Sequence, residues 1–137
     1  MEILEDGAMT SYPSRVVIEE QGLRDGLQSE ETVLPTAKKI RIIDALVDAG
    51  VRRIQVTSFV NPKLIPQMAD AEALCAGLKA QPGVIFSALV LNARGLERAA
   101  DAGLGHVSAS ISASDTHSRK NANVSLVEAR RQFADMA

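Results

Sequence analysis

Two stretches of the chain lie on each other without a gap: DAGVRRIQVTS, from Asp48 to Ser58, and DAGLGHVSASI, from Asp101 to Ile111. In each, a glycine ends a helical pattern and a strand-like run follows within a few residues, so one helix-stop-strand step occurs twice with the same turn chemistry. Helix and strand signals that alternate in this way indicate βα units, because strands running in the same direction must be joined by a crossover, usually a helix.

The rest of the chain fits this frame. Val16-Val17-Ile18 is consecutive and β-branched, as expected of a first strand buried on both faces, and it runs into a loop, QGLRDGLQSEE. Pro35 then opens a helix where its missing N–H costs nothing; Ile40, Ile43, Leu46 and Val47 form its apolar stripe and Gly50 its stop. A second strand, Arg53 to Thr57, leads through a loop with two prolines to a helix over Ala69 to Lys79. Gln81-Pro82-Gly83 turns the chain into a third strand, Val84 to Val90. Asn92 caps a helix that ends at Gly103, and a fourth strand spans His106 to Ile111. The polar segment SASDTHSRKNANV reads as a loop, after which Ser125 and Glu128 form the capping box of a last helix carrying Leu126, Arg130 and Phe133.

The expectation is therefore an α/β fold of four parallel strands in sequential order, with helices on one side. Residues 1–14 read as a flexible leader, with Met9 a second candidate start, and 15–137 as the folded unit. Four βα units at about 30 residues each amount to half of a TIM (β/α)8 barrel of roughly 250 residues. A small doubly wound sheet has the same periodicity, so the pattern alone leaves both open.

Composition narrows the function. Aromatic residues make up 3% of the chain and the net charge is −2, which leaves neither stacking platforms nor a basic patch for nucleic acid. The lone Cys75 excludes an internal disulfide and a paired-cysteine zinc site, and fits a reducing, cytoplasmic setting. No apolar run approaches the roughly 18 residues of a membrane span, so no membrane partner is expected.

In parallel α/β folds ligands bind beyond the C-terminal ends of the strands. The loop after the first strand is the richest such place, with Glu20, Arg24, Asp25 and Gln28 between and beside Gly22 and Gly26. An aspartate beside an arginine is either a solvated surface pair or the combination of a hard oxygen ligand for a divalent cation and a fixed charge for a developing oxyanion. Ser58 and Asn92 end the second and third strands on the same side, although the helix cap already accounts for Asn92. His117 and Lys120 follow the fourth strand, where a lysine could meet phosphates. His106 starts that strand at the opposite end, and Cys75 reads as an ordinary buried helix residue.

The run GLRDGLQSE, followed by LPTAKKIRIIDALVDAGVRRIQVTSFVNPKLIPQMAD, resembles the start of the 3-hydroxy-3-methylglutaryl-CoA (HMG-CoA) lyases, members of the DRE-TIM metallolyases. TSFVNPKLIPQMAD favours the lyases over the related isopropylmalate and homocitrate synthases, and LVLNARGLERAADAG and SASDTHSRKNANVSLVEA agree with it. The resemblance spans Arg15 to Ala137. It implies the N-terminal half of a TIM barrel, Asp25 as a ligand of Mg²⁺ or Mn²⁺, Arg24 as a catalytic arginine and Gln28 in the same loop. It further implies an acyl-CoA thioester substrate, cleaved by a retro-Claisen step to acetyl-CoA and a 3-oxo acid such as acetoacetate; by their places after the strands, Ser58, Asn92, His117 and Lys120 join Gln28 as candidate substrate contacts.

Two departures qualify this resemblance. Gln55 stands where lyases usually carry glutamate, keeping the shape but losing the charge. The family's His-x-His motif, asparagine ligand and mobile-loop cysteine belong to the second half of the barrel. Weak or absent metal binding and no activity by the chain alone are therefore expected, together with either a homo-oligomer or a complementing C-terminal half. A relative acting on another 3-hydroxy acyl-CoA with a second chain, and a non-catalytic self-assembling half barrel, are the alternatives.

Overall fold

Helix α1 occupies Thr36–Asp48 of the computed structural model, which describes residues 12–136. Pro35 is its N-cap, and after it Gly50 takes φ +94°, a left-handed conformation that glycine adopts without strain. Strand β1 (Arg53–Ser58) follows, then a 3₁₀ turn at Pro66–Met68 and helix α2 (Ala71–Gly77), shorter than expected at both ends. Strand β2 (Ile85–Val90) leads to helix α3 (Ala93–Asp101), where the Asn92 side chain accepts from the Gly95 N–H at 2.9 Å. Gly103 repeats the role of Gly50 with φ +79°. Strand β3 (Val107–Ala109) and helices α4 (Asp115–Ala122) and α5 (Leu126–Met136) complete the described chain. Most of the expected leader, with Met9, lies outside the described residues.

The strands are parallel and in sequential order, β1-β2-β3, as expected of βα units. The expected first strand does not form. Glu20 alone makes a parallel bridge to Ile54, with its N–H on Arg53 O at 2.9 Å and its carbonyl accepting from Gln55 N–H at 2.8 Å. Val16, Val17 and Ile18 stay 72, 75 and 82% exposed, because a strand buried on both faces needs cover on both and here the run has neither. The expected count of four strands thus becomes three strands and one bridge.

A second correction concerns 115–122, expected as loop. With no apolar stripe to reveal it, this helix is held by local polar contacts: Ser114 caps it, Arg119 pairs with Asp115 at 2.7 Å, and Asn123 closes it at φ +57°. His117 and Lys120 are accordingly helix residues. The capping box at α5 forms in its first half, Ser125 Oγ accepting from Glu128 N–H at 3.2 Å, while the Glu128 carboxylate turns to Arg131 and Gln132.

Helices cover one face of the sheet in two apolar clusters. Ile54 and Val56 of β1 pack with Leu23, Ile43 of α1 and Leu74 of α2, and Ala88 and Val90 of β2 pack with Phe59, Ala71, Cys75 and Ala99. Lys39, 1% exposed, ties α1 to α2 by bonding Asp70 Oδ1 and Gln67 O, each at 2.6 Å, while Thr36 donates to Asp70 Oδ2. Burial and the neighbouring carboxylates of Glu72 and Asp70 push the Cys75 thiol up to about 11, so it stays an inert apolar residue.

Candidate active site

Cross-strand partners share a face of a sheet, so the register separates a helix-covered face from an inner one. Ile54 pairs with Phe86, and Thr57 with Ala88, on the helix side. Gln55 pairs with Ser87, Arg53 with Ile85, Ser58 with Leu89, and Leu89 with Ser108 on the other. The register shifts between Gln55 and Thr57, so that Val56 and Thr57 both serve the helix side and Ser58 returns to the inner face. The inner face thus presents the polar Arg53, Gln55, Ser58, Ser87 and Ser108 beside the apolar Ile85 and Leu89, a mixed surface suited to a binding site.

Over this face lies the loop after the Glu20 bridge. Gly22–Gly26 form one π-helical turn that carries Arg24 and Asp25 and buries Leu23. The Arg24 guanidinium is held on three sides: Nε donates to Gln55 Oε1 at 2.5 Å, Nη2 to Gln21 Oε1 at 2.6 Å and Nη1 to Asp25 Oδ1 at 2.5 Å. Its side chain is 15% exposed, whereas that of Asp25 is 71% exposed. The arginine is therefore fixed in a partly dry place and the carboxylate faces outward.

The network continues through residues that sequence reasoning passed over. Gln21 Nε2 donates to Glu19 Oε2 at 3.3 Å, and Glu19 Oε1 accepts from Arg53 Nε at 2.9 Å and Ser87 Oγ at 2.8 Å. Burial pushes the Glu19 carboxyl up, but the bonds from Ser87, Arg53 and Gln21 and the charge of Arg53 outweigh it and hold the group below the ordinary glutamate range. The available signal was spacing: Glu19 and Gln21 flank the bridging Glu20 as Arg53 and Gln55 flank Ile54, a period of two in two extended segments that meet at the bridge.

The other candidates are placed less decisively. Ser58 Oγ is fully buried and Gln28 Oε1 is buried, and neither has a hydrogen-bond partner among the described residues. The Asn92 oxygen is committed to the α3 cap. His117 Nδ1 meets Ser112 Oγ at 2.7 Å in the first turn of α4, and Lys120 is exposed further along it. Parallel topology puts Ser58, Asn92, His117 and Lys120 at or beyond the C-terminal ends of β1, β2 and β3, on the side where Arg24 and Gln28 follow the Glu20 bridge.

The chain matches the HMGL-like family over residues 15–137. It belongs to the HMGL-like family. This HMGL-like chain is 44% identical to the mitochondrial hydroxymethylglutaryl-CoA lyase of Mus musculus over 127 residues, covering 93% of this chain and 39% of the relative. It is 45% identical to the hydroxymethylglutaryl-CoA lyase YngG of Bacillus subtilis, over 85% of this chain and 39% of the relative. The crystal structure of the Bacillus subtilis HMG-CoA lyase superposes with a TM-score of 0.86 at 42% identity, over 91% of this chain and 42% of that one. An HMG-CoA lyase from Acinetobacter baumannii, solved in complex with coenzyme A and 3-methylmalate, superposes at 0.85 with 35% identity, over 93% of this chain and 42% of that one. The chain thus spans about two fifths of the length of the relatives it matches, and its three-stranded sheet corresponds to the N-terminal part of their barrel. No helix among the described residues is long and apolar enough to cross a membrane.

A divalent cation needs about six oxygen or nitrogen donors. No group of three or more His, Cys, Asp or Glu among the described residues could hold a metal ion. Asp25 offers one hard oxygen ligand, already shared with Arg24, so the described residues by themselves do not fit Mg²⁺ or Mn²⁺.

Proposed function

We infer that this chain supplies the arginine and one carboxylate of a divalent-metal-dependent acyl-CoA lyase, which cleaves an HMG-CoA-like thioester to acetyl-CoA and a 3-oxo acid such as acetoacetate. The observation that carries this reading is the Arg24 guanidinium, held by Gln55, Gln21 and Asp25 over the inner sheet face in a chain of the HMGL-like family. The kinship with hydroxymethylglutaryl-CoA lyases supplies the reaction class.

In that reaction the tertiary hydroxyl loses its proton, the adjacent C–C bond breaks to leave a ketone, and the electron pair passes to the thioester as an enolate, which takes a proton at carbon. Negative charge builds on the thioester oxygen. Arg24 suits that oxygen because its charge is permanent and its donors are fixed before substrate arrives, so little reorganisation is needed as charge develops. Asp25, which faces outward, would be one ligand of the divalent metal, whose remaining donors would come from outside the described residues. Ser58 and Gln28 supply polar atoms for the substrate, and Lys120, more weakly, a charge for the phosphates of the CoA portion. Activity then requires βα units that these residues do not include, supplied in the same polypeptide or by another.

Acetyl-CoA formation from HMG-CoA with Mg²⁺ or Mn²⁺ present tests the proposal, measured for the 137-residue chain alone and co-expressed with a segment bearing the remaining units of a bacterial HMG-CoA lyase. Turnover is expected only with the complementing segment, and Arg24→Lys lowers it by about two orders of magnitude or more, as loss of an oxyanion donor does. Complemented turnover indifferent to Arg24→Lys overturns the reading.

A further inference from the structure

Gln21 stands between two groups of opposite and unambiguous hydrogen-bonding character. Arg24 can only donate, and an ionised Glu19 can only accept. The amide of Gln21 has one orientation that satisfies both, with Nε2 on Glu19 and Oε1 on Arg24, and that is the orientation found. Glu19 is anchored in turn by Arg53 of β1 and Ser87 of β2, so the amide is oriented from two neighbouring strands of the sheet. Gln55, the neutral residue on Arg24 Nε, holds the guanidinium from the third direction without contributing charge.

We propose that Glu19 and Gln21 are positioning residues for Arg24: the Glu19 carboxylate, anchored on Arg53 and Ser87, orients the Gln21 amide so that its oxygen holds Arg24 Nη2. The relay brings a negative group to the arginine through an intervening amide, on the sheet face where Gln55 offers none. Its value for the reaction rests on the reading of Arg24 as the group that meets the substrate's developing charge.

The geometry predicts an asymmetric effect of neutralising Glu19. In Glu19→Gln the new amide can satisfy Arg53 and Ser87 only with its oxygen, which turns its NH₂ toward Gln21. Gln21 must then flip to accept, which points its own NH₂ at the donor on Arg24. Exchanging the two side chains restores the sequence of donors and acceptors, since a glutamate at position 21 accepts from both neighbours.

Arginine side-chain NMR on the 137-residue chain, with Arg24 assigned by its loss in Arg24→Lys, reads this directly. In the unmodified chain the Nη2 protons of Arg24 exchange slowly with water. In Glu19→Gln their exchange rises by roughly tenfold, the effect of losing one charge-assisted hydrogen bond, while the Nε–H held by Gln55 changes less. Glu19→Gln combined with Gln21→Glu returns the slow exchange. Should Glu19→Gln not fold, Gln21→Ala carries the test, because it frees Nη2 while leaving the Glu19–Arg53–Ser87 anchor in place. Unchanged Nη2 exchange in whichever single variant folds, or failure of the double variant to restore it, overturns the proposal. Complemented turnover that survives Arg24→Lys would overturn the catalytic reading and leave the NMR result as it stands.

Discussion

The two ends of the molecule are held together by different kinds of contact. From Glu19 through β2, polar side chains reach across the fold: Arg24 to Gln55, Lys39 to Asp70, Arg53 and Ser87 to Glu19. In α4 and α5 they reach less far, with Asp115–Arg119 four residues apart, Glu128–Arg131 three apart, and Asp115 Oδ1 accepting from the Leu126 N–H of the next helix, eleven residues on. Burial follows the same division: Ile54, Val56 and Leu74 are fully buried, whereas Val127 is 79% exposed and Ala129 is the buried apolar residue of α5. A region tied by distant contacts opens only when the whole unit opens, while one tied by local contacts can fray by itself. Arg24, Asp25 and Gln55 of the candidate site lie in the first region, whereas His117 and Lys120 lie on α4 in the second.

The largest expected effect comes from the core beneath the site. Ile54→Ala leaves a cavity between α1, α2 and the Arg24 turn and is expected to destabilise by about 4 kcal/mol, while Val127→Ala on α5 changes stability by no more than about 0.5 kcal/mol. Urea unfolding of both variants measures the difference, and equal shifts would erase the distinction between the regions.

Removing the partner of a buried charge is next. Asp70→Ala strands Lys39 between α1 and α2 and is expected to cost about 3 kcal/mol. A denaturation midpoint within error of the unmodified chain would mean that the Lys39–Asp70 contact ties nothing together.

Asn92→Ala probes the junction, because its single bond to Gly95 N–H starts α3 directly after β2. About 1 kcal/mol is expected, with faster amide exchange at Gly95. Loss of several kcal/mol would show that the junction belongs to the tightly tied region.

The smallest effect concerns acid. The Glu19 carboxyl lies below its ordinary value of 4.5 in the fold, so its contribution is fully present above that pH and disappears as pH falls through the lowered pKa. Glu19→Gln should therefore reduce the loss of stability between about pH 7 and about pH 3. Glu128→Gln should reduce it less, since the bonds of Glu128 to Arg131 and Gln132 lie within one helix and can persist in part after the fold opens. Equal effects of the two substitutions would break the comparison.

Legibility in the sequence divides along related lines. Helix α1, the α3 cap and both glycine stops were readable because each depends on residues within a few positions. Helix α4 is equally local but escaped reading, since Ser114, Asp115 and Arg119 stabilise it without an apolar stripe to announce it. Arg24, Asp25 and Gln55 were singled out by motif. Glu19, Gln21, Arg53 and Ser87 were not, because their network joins the segment before Arg24 to two other strands, and which side chains meet there depends on a register that no single segment displays.

By itself the sequence determined the repeating helix-stop-strand step, through the positive φ at Gly50 and Gly103, and hence a parallel sheet in sequential order. The tertiary structure alone decided that Val16, Val17 and Ile18 remain outside the sheet, and that Glu19, 34 residues from Arg53 and 68 from Ser87, joins the Arg24 network. A glycine stop is a property of one residue's backbone, whereas strand pairing and a buried polar network depend on which distant groups the folded chain brings within hydrogen-bonding distance.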